Sequence, residues 1–137
     1  MNSILLDTNA YAAFRRGNPD AVMILQRASL VVVNSIILGE LLGGFDAGTK
    51  AQANRGDLTA FLSSPRVAVL PIDHATSEFY AAVYVALRKA GTPIPTNDIW
   101  IAASALQHGL RLFTYDKHFQ QVPGLATGAT LSDLTRP

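Results

Sequence analysis

The sequence predicts an α/β fold, with a short, mainly parallel central sheet of four to five strands flanked by helices. Three observations lead there. Short apolar runs such as Ile4-Leu5-Leu6 and Leu30 to Val33 alternate with longer stretches of helical period. The second run is rich in β-branched residues, which favour a buried strand. Hydrophobic residues make up 49% and charged residues 15% of the 137. That is enough for one core plus further buried surface, either both faces of a parallel sheet or an oligomer interface.

The elements follow in order. Residues 3–6 read as a strand ending at Asp7. Residues 8–16 and 19–28 read as helices, parted by Gly17-Asn18-Pro19. Leu30 to Val33 is the second strand, and Ser35 is positioned to cap a helix to about Phe45. A helix over about 50–63 carries Leu58, Phe61 and Leu62 as its apolar stripe. Arg66 to Leu70 is the third strand. Asp73 caps a long helix to about Ala90, with Ala75, Phe79, Val83, Ala86 and Leu87 along one side, and Gly91 stops it. Thr96 opens a helix ending at Gly109, Leu110 to Thr114 is the fourth strand, and Ala126 to Leu131 is the candidate fifth. No repeat or long linker divides the chain, so one domain is expected over 1–137.

Several function classes drop out. Without cysteine there is no disulfide framework, thiolate metal site or thiol nucleophile. The longest apolar run, Phe79 to Leu87, is far short of the ~20 residues that span a bilayer. The start of the chain lacks the basic and apolar regions of a signal peptide, so a cytoplasmic protein with no membrane partner is expected. No GxSxG, Walker or GxGxxG pattern occurs. Gly39 and Gly43 are read as permitting close helix packing, and Arg55-Gly56-Asp57 as an accidental tripeptide within a helix.

The carboxylates carry the functional signal. Glu40 has Ile36, Ile37, Gly43 and Gly44 as its helical neighbours, which puts it on an apolar stripe. A buried carboxylate there costs several kcal/mol unless compensated, and no Lys or Arg lies between Arg27 and Lys50. Asp98 shares a helical face with Ile101, Ala102 and Ala105. Asp7 and Asp116 follow the first and fourth strands, where open α/β sheets bind ligands. Each acid alone has an ordinary reading as a cap, a turn residue or a helix-edge charge. Together they form a cluster that needs compensation, because two like charges ~5 Å apart repel by roughly 3 kcal/mol at an effective dielectric near 20. A divalent cation removes that repulsion, and all-oxygen ligation favours Mg²⁺ or Mn²⁺. Such a cluster would leave six acids against eleven Lys and Arg elsewhere, a balance suited to a metal enzyme acting on a polyanion. His74, His108 and His118 share no metal-binding spacing, and only His118 is a candidate for touching substrate.

Four segments in order resemble the PIN-domain nucleases, and most closely their VapC-type toxins. They are Ile4-Leu5-Leu6-Asp7-Thr8-Asn9, Ile37-Leu38-Gly39-Glu40-Leu41, Pro95 to Ala103 and Leu112 to Phe119. The resemblance implies a PIN-like three-layer sandwich and a metal-dependent endoribonuclease cutting structured RNA such as tRNA or rRNA loops. It further implies Asp7, Glu40, Asp98 and Asp116 as catalytic ligands of Mg²⁺ or Mn²⁺, homodimerisation, and inhibition by a cognate antitoxin. Thr8, Asn9 and Thr114 are expected to hold these carboxylates, and Lys117 and Arg88 to contact RNA. A homodimer is expected through about 36–63, with the antitoxin beside the first, second and fourth helices and Tyr11, Phe14, Phe61 and Leu62 as residual apolar surface. The alternatives are a nucleic-acid-binding regulator working with a DNA-binding partner, or an rRNA-processing nuclease.

Overall fold

Five short strands form one parallel sheet in the computed structural model, which describes residues 1–136; Pro137, the last residue of the expected domain, lies outside the described residues. The strands are β1 (Ile4–Leu6), β2 (Val31–Asn34), β3 (Val67–Leu70), β4 (Arg111–Phe113) and β5 (Thr127–Gly128), in the order β3-β2-β1-β4-β5. Seven helices flank them: α1 (Thr8–Arg15), α2 (Pro19–Arg27), α3 (Ser35–Ala47), α4 (Ala51–Leu62), α5 (Thr76–Ala90), α6 (Thr96–His108) and α7 (Leu131–Thr135). A 3-10 turn spans Lys117–Gln121. The expected α/β architecture is therefore present.

The core sits on the central strands. Every residue of β1 and β2 is buried, as are Leu112 and Phe113 of β4 and Ile101, Ala102 and Ala105 of α6. β1 lies between β2 and β4, so successive strands run outward to β3 and then return to the other side of β1. That reversal opens a crevice beyond the carboxyl ends of β1 and β4, because the connections leave in opposite directions. Leu6 pairs in register with Phe113, and the Asp7 N–H donates to the Phe113 carbonyl at 3.0 Å. Asp7 and Thr114 are thereby fixed side by side at the crevice.

Several local expectations change. The cap of α3 is Asn34, not Ser35: its buried side chain accepts from the Ile37 N–H at 2.9 Å. An amide at the strand's last residue already faces the open amides of the helix, whereas Ser35 is itself helical. Thr96 is the first residue of α6 and makes no capping bond. Asp98 is then the third helical residue. The fifth strand shrinks to two residues because Asp133 fills the space beside Gly128 and accepts from the Ala129 N–H, while Thr130 caps α7. Asp73 does accept from the Thr76 N–H, but the buried row of α5 is Thr76, Val83 and Leu87, with Phe79 exposed. Thr76 can be buried because Gln107 on α6 accepts from its hydroxyl at 2.6 Å.

The residual apolar surface also lies elsewhere. Tyr11 is 2% exposed and meets Phe61 edge-on with centroids 5.2 Å apart, while Phe14 packs on the same ring. This aromatic contact uses up the faces of α1 and α4 that would otherwise remain apolar, and Leu62 is half-buried beside it. The exposed large apolar residues are Met23, Val69, Phe79, Tyr84, Val85 and Tyr115. Three of these lie on α5. Gly39 and Gly43 are exposed, and a side chain at either would meet open space, so neither serves close packing. Arg55-Gly56-Asp57 lies inside α4 as expected. No helix among the described residues is long and apolar enough to cross a membrane.

Arg66 has a structural role that its position at a strand start does not announce. Its guanidinium donates to the carbonyls of Leu25, Gln26 and Ala28, closing the end of α2. Charged donors suit the unsatisfied carbonyls and negative dipole of a helix C-terminus. Arg66→Met is expected to lower stability by about 1–3 kcal/mol, measured by urea unfolding; a midpoint unchanged from wild type would contradict that role.

Candidate metal centre

Each site carboxylate leaves the scaffold at a point set by local chemistry. Asp7 ends β1 and caps α1, with Oδ1 accepting from the Thr8 N–H at 2.8 Å. Its Oδ2 accepts from the Thr114 hydroxyl at 2.7 Å. Glu40 comes from the middle of α3, half-buried, and its Oε1 accepts from the Thr8 hydroxyl at 2.7 Å. Asp98 enters from the first turn of α6, and Asp116 from the segment after β4, where it caps the 3-10 turn.

Of the supporting residues expected from sequence, Thr8 and Thr114 bond site carboxylates directly, whereas Asn9 bonds Thr114 and the Tyr115 N–H and none of the four acids. Thr114 accepts from the Asp116 N–H at 3.0 Å while donating to Asp7, so one hydroxyl links two acids. Asn9 accepts from the Tyr115 N–H at 3.0 Å and ties α1 to the segment after β4. Thr8 joins Asp7 to Glu40 through its amide and hydroxyl.

Two further residues escape or nearly escape a reading of the sequence. Asn97 donates to Glu40 Oε2 at 3.4 Å, across 57 positions of sequence. His118 places Nδ1 3.4 Å from Asp98 Oδ2 and 3.2 Å from Asp116 Oδ1. Asp98, Asp116 and His118 each offer an atom within 4.8 Å of the others. The only signal in the sequence is the short spacing of His118 from Asp116. Of the RNA-contact candidates, Lys117 lines a cavity with Asp116 and Arg136. Arg88 lies in another cavity, which holds none of the four acids, and donates to the Tyr84 hydroxyl.

The electrostatics identify a crowded negative site. Burial pushes the Asp7 carboxyl up to about 6; the Thr114 hydroxyl and Thr8 amide oppose this, and the charges of Glu40 and Asp98 add to it. Asp98 is also raised, by burial and by Asp116, with Glu40 adding and His118 opposing. Charge effects thus link Asp7 with Glu40 and Asp98, and Asp98 with Asp116. Among the described residues, no Lys or Arg forms an ion pair with any of them. A mostly carboxylate donor set that no Lys or Arg pairs with fits a hard divalent cation such as Mg²⁺ or Mn²⁺.

A parallel sheet whose reversal point gathers acids from β1, α3, α6 and the β4 exit is the architecture of a PIN domain. The profile of that family matches residues 4–125, and the chain belongs to it. Within the family it is a ribonuclease of the VapC type. Ribonuclease VapC4 of Mycobacterium tuberculosis is 40% identical over 93 residues, covering 66% of this chain and 70% of the relative. The tRNA(fMet)-specific endonuclease VapC of Salmonella typhimurium is 27% identical over 128 residues, covering 91% and 96%. The solved structure of VapBC-1 from nontypeable Haemophilus influenzae matches with a TM-score of 0.78 and 28% identity, covering 93% of this chain and 97% of that one.

Proposed function

We propose that this chain is a Mg²⁺- or Mn²⁺-dependent endoribonuclease, the toxin of a cytoplasmic toxin–antitoxin pair. The observation that carries the reading is the convergence of Asp7, Glu40, Asp98 and Asp116 with no Lys or Arg ion pair among the described residues. Asp7, Glu40, Asp98 and Asp116 would hold the cation, some directly and some through water. A bound divalent ion offsets phosphate charge and lowers the pKa of water.

The chain's own residues do the rest. Thr8, Asn9 and Thr114 keep the carboxylates in one arrangement before substrate arrives. Whichever of Glu40 and Asp98 is not directly ligated accepts the proton of the attacking water at a carboxylate oxygen. The water oxygen then bonds to phosphorus as the bond to the ribose 3′-oxygen breaks, and that oxygen leaves with the bonding pair and takes a proton from solvent water. Lys117, which lines a cavity together with Asp116, would meet a neighbouring phosphate in this reading.

The substrate class in this reading is RNA in exposed loops, as in tRNA or rRNA, whose splayed bases let a phosphate reach a recessed site. The name of the Salmonella relative, a tRNA-specific endonuclease, supports it. An antitoxin partner is supported by the VapBC-1 likeness. Phe79, Tyr84 and Val85 of α5 are exposed on different sides of that helix, and a second copy would cover some of this apolar area.

Cleavage of total tRNA and rRNA with Mg²⁺, with Mn²⁺ and with excess chelator tests the proposal. Cutting at a few sites only, abolished by chelator and restored by Mn²⁺, is expected; undiminished cutting in chelator overturns it. At limiting metal the rate should also fall below about pH 6, where a proton competes with the cation for Asp7, and saturating metal should move that limb to lower pH. In that limb the ionised fraction drops roughly tenfold per pH unit.

A further inference from the structure

The geometry points to a base-binding subsite beside the carboxylates, in which the Tyr11 hydroxyl reads one nucleotide next to the scissile phosphate. This rests on the ribonuclease reading above. A cavity of about 460 Å³ opens between α1, α3 and α4, and Thr8 and Glu40 line it. The same two residues border the acid site, so whatever fills the cavity is continuous with the reacting group.

Three features describe the occupant. First, Tyr11 lines the cavity, is 2% exposed, and its hydroxyl has no hydrogen-bond partner. A buried polar atom without a partner is costly, and a phenylalanine would pack equally well there. The ring is held by Phe61, so the hydroxyl's position is set by packing. It can both donate to and accept from the edge of a base.

Second, the lining sets two arginines, Arg15 and Arg16, against two acids, Glu40 and Asp57, and one of the arginines is uncommitted. Arg15 pairs with Asp57 at 3.0 Å, whereas Arg16 has no ion-pair partner among the described residues. A free guanidinium suits the phosphate next along the strand. Third, a side chain at Gly44, on the cavity wall, would meet nothing within 4 Å. The helix carries a glycine where a larger residue would fit the fold and fill the cavity. An apolar wall with a few placed polar groups is the usual form of a small-ligand site.

Two variants and two readouts test the subsite. Tyr11→Phe removes only the unpartnered hydroxyl, and Gly44→Leu adds volume to the cavity one helical turn from Glu40, so its Mn²⁺ affinity is measured beside its kinetics. RNA randomised at the nucleotides flanking a cut site is cleaved and sequenced. Wild type should prefer one base at one flanking position. Tyr11→Phe should reduce that preference several-fold at that position alone. Gly44→Leu should lower kcat/KM at least tenfold, mainly through KM, with Mn²⁺ affinity retained.

The second readout needs no cleavage. AMP, GMP, CMP and UMP are titrated into metal-free protein and followed by NMR. One should bind, and each variant should weaken it several-fold at a melting temperature no lower than that of wild type. If wild type cuts no RNA yet this binding is present and lost in both variants, the ribonuclease reading fails and the subsite stands. If wild type cuts but neither variant alters base preference or nucleotide binding, the subsite is overturned. It is likewise overturned if Gly44→Leu leaves RNA kinetics and nucleotide binding intact and only relieves inhibition by a co-expressed neighbouring-gene protein, which would assign the cavity to a protein partner.

Discussion

Asp7→Asn is expected to reduce RNA cleavage by roughly three orders of magnitude or more, while raising the melting temperature of the metal-free protein. The amide keeps the volume of the carboxylate but cannot supply its charge to a divalent ion, whose electrostatic contribution to phosphoryl chemistry is several kcal/mol. The stability effect has the opposite sign. Burial holds Asp7 at about 6 in the fold, above its ordinary value of 3.8. A carboxyl raised in this way favours folding at low pH, where it is protonated in both states. That advantage is lost as pH rises from about 4 through about 6, because ionisation then favours the unfolded chain. At pH 7.5 the ionised Asp7 therefore costs up to about 3 kcal/mol. The variant should recover about 1–2 kcal/mol of this, seen as a gain of several degrees in metal-free buffer that disappears near pH 4. Scanning calorimetry at both pH values with a cleavage assay decides it. Near-wild-type cleavage would remove Asp7 from the reaction.

Thr114→Val is expected to weaken Mn²⁺ binding by roughly 10–100-fold without removing any carboxylate. The Thr114 hydroxyl is buried, donates to Asp7 and accepts from the Asp116 amide. Valine matches its shape, leaves the Asp116 N–H without that acceptor, and takes from Asp7 the hydroxyl bond that pulls its carboxyl downward. The acid limb of the pH profile should move to higher pH, and half-maximal cleavage should need more metal. Loss of the buried bonds should cost about 1–3 kcal/mol of stability. Thr114→Ser, which restores the hydroxyl, should recover metal affinity and separate this role from packing. Calorimetric Mn²⁺ titration matching wild type would show that the hydroxyl does not position the acids.

The two variants act on residues of different legibility. Asp7 stands out because an acid directly after a buried strand, and others on apolar helical faces, conflict with core packing. Thr114 is recognisable only as a short hydroxyl near Asp116; its bond to Asp7 spans 107 positions and exists because Leu6 and Phe113 are in register. His118 reads from sequence as a surface residue and no more than a candidate for touching substrate. Its approach to Asp98 arises from the 3-10 turn, which local periodicity does not reveal. The residual apolar surface differs from expectation for a related reason: the apolar residues of α1 and α4 look uncovered along the chain, but Tyr11, Phe14 and Phe61 cover one another.

The alternation of strands and helices, the parallel sheet and the four acids that resist a purely structural explanation are all legible along the chain. They are local properties, since periodicity, turn residues and a charge on an apolar face are set by sequence neighbours. Which hydroxyl holds which carboxylate, the nearness of His118 and Asn97, and the cavity lined by Tyr11 emerge only once the chain is folded. Each of those depends on residues brought together across the reversal of the sheet or between separate helices, and chain spacing carries no distance through space.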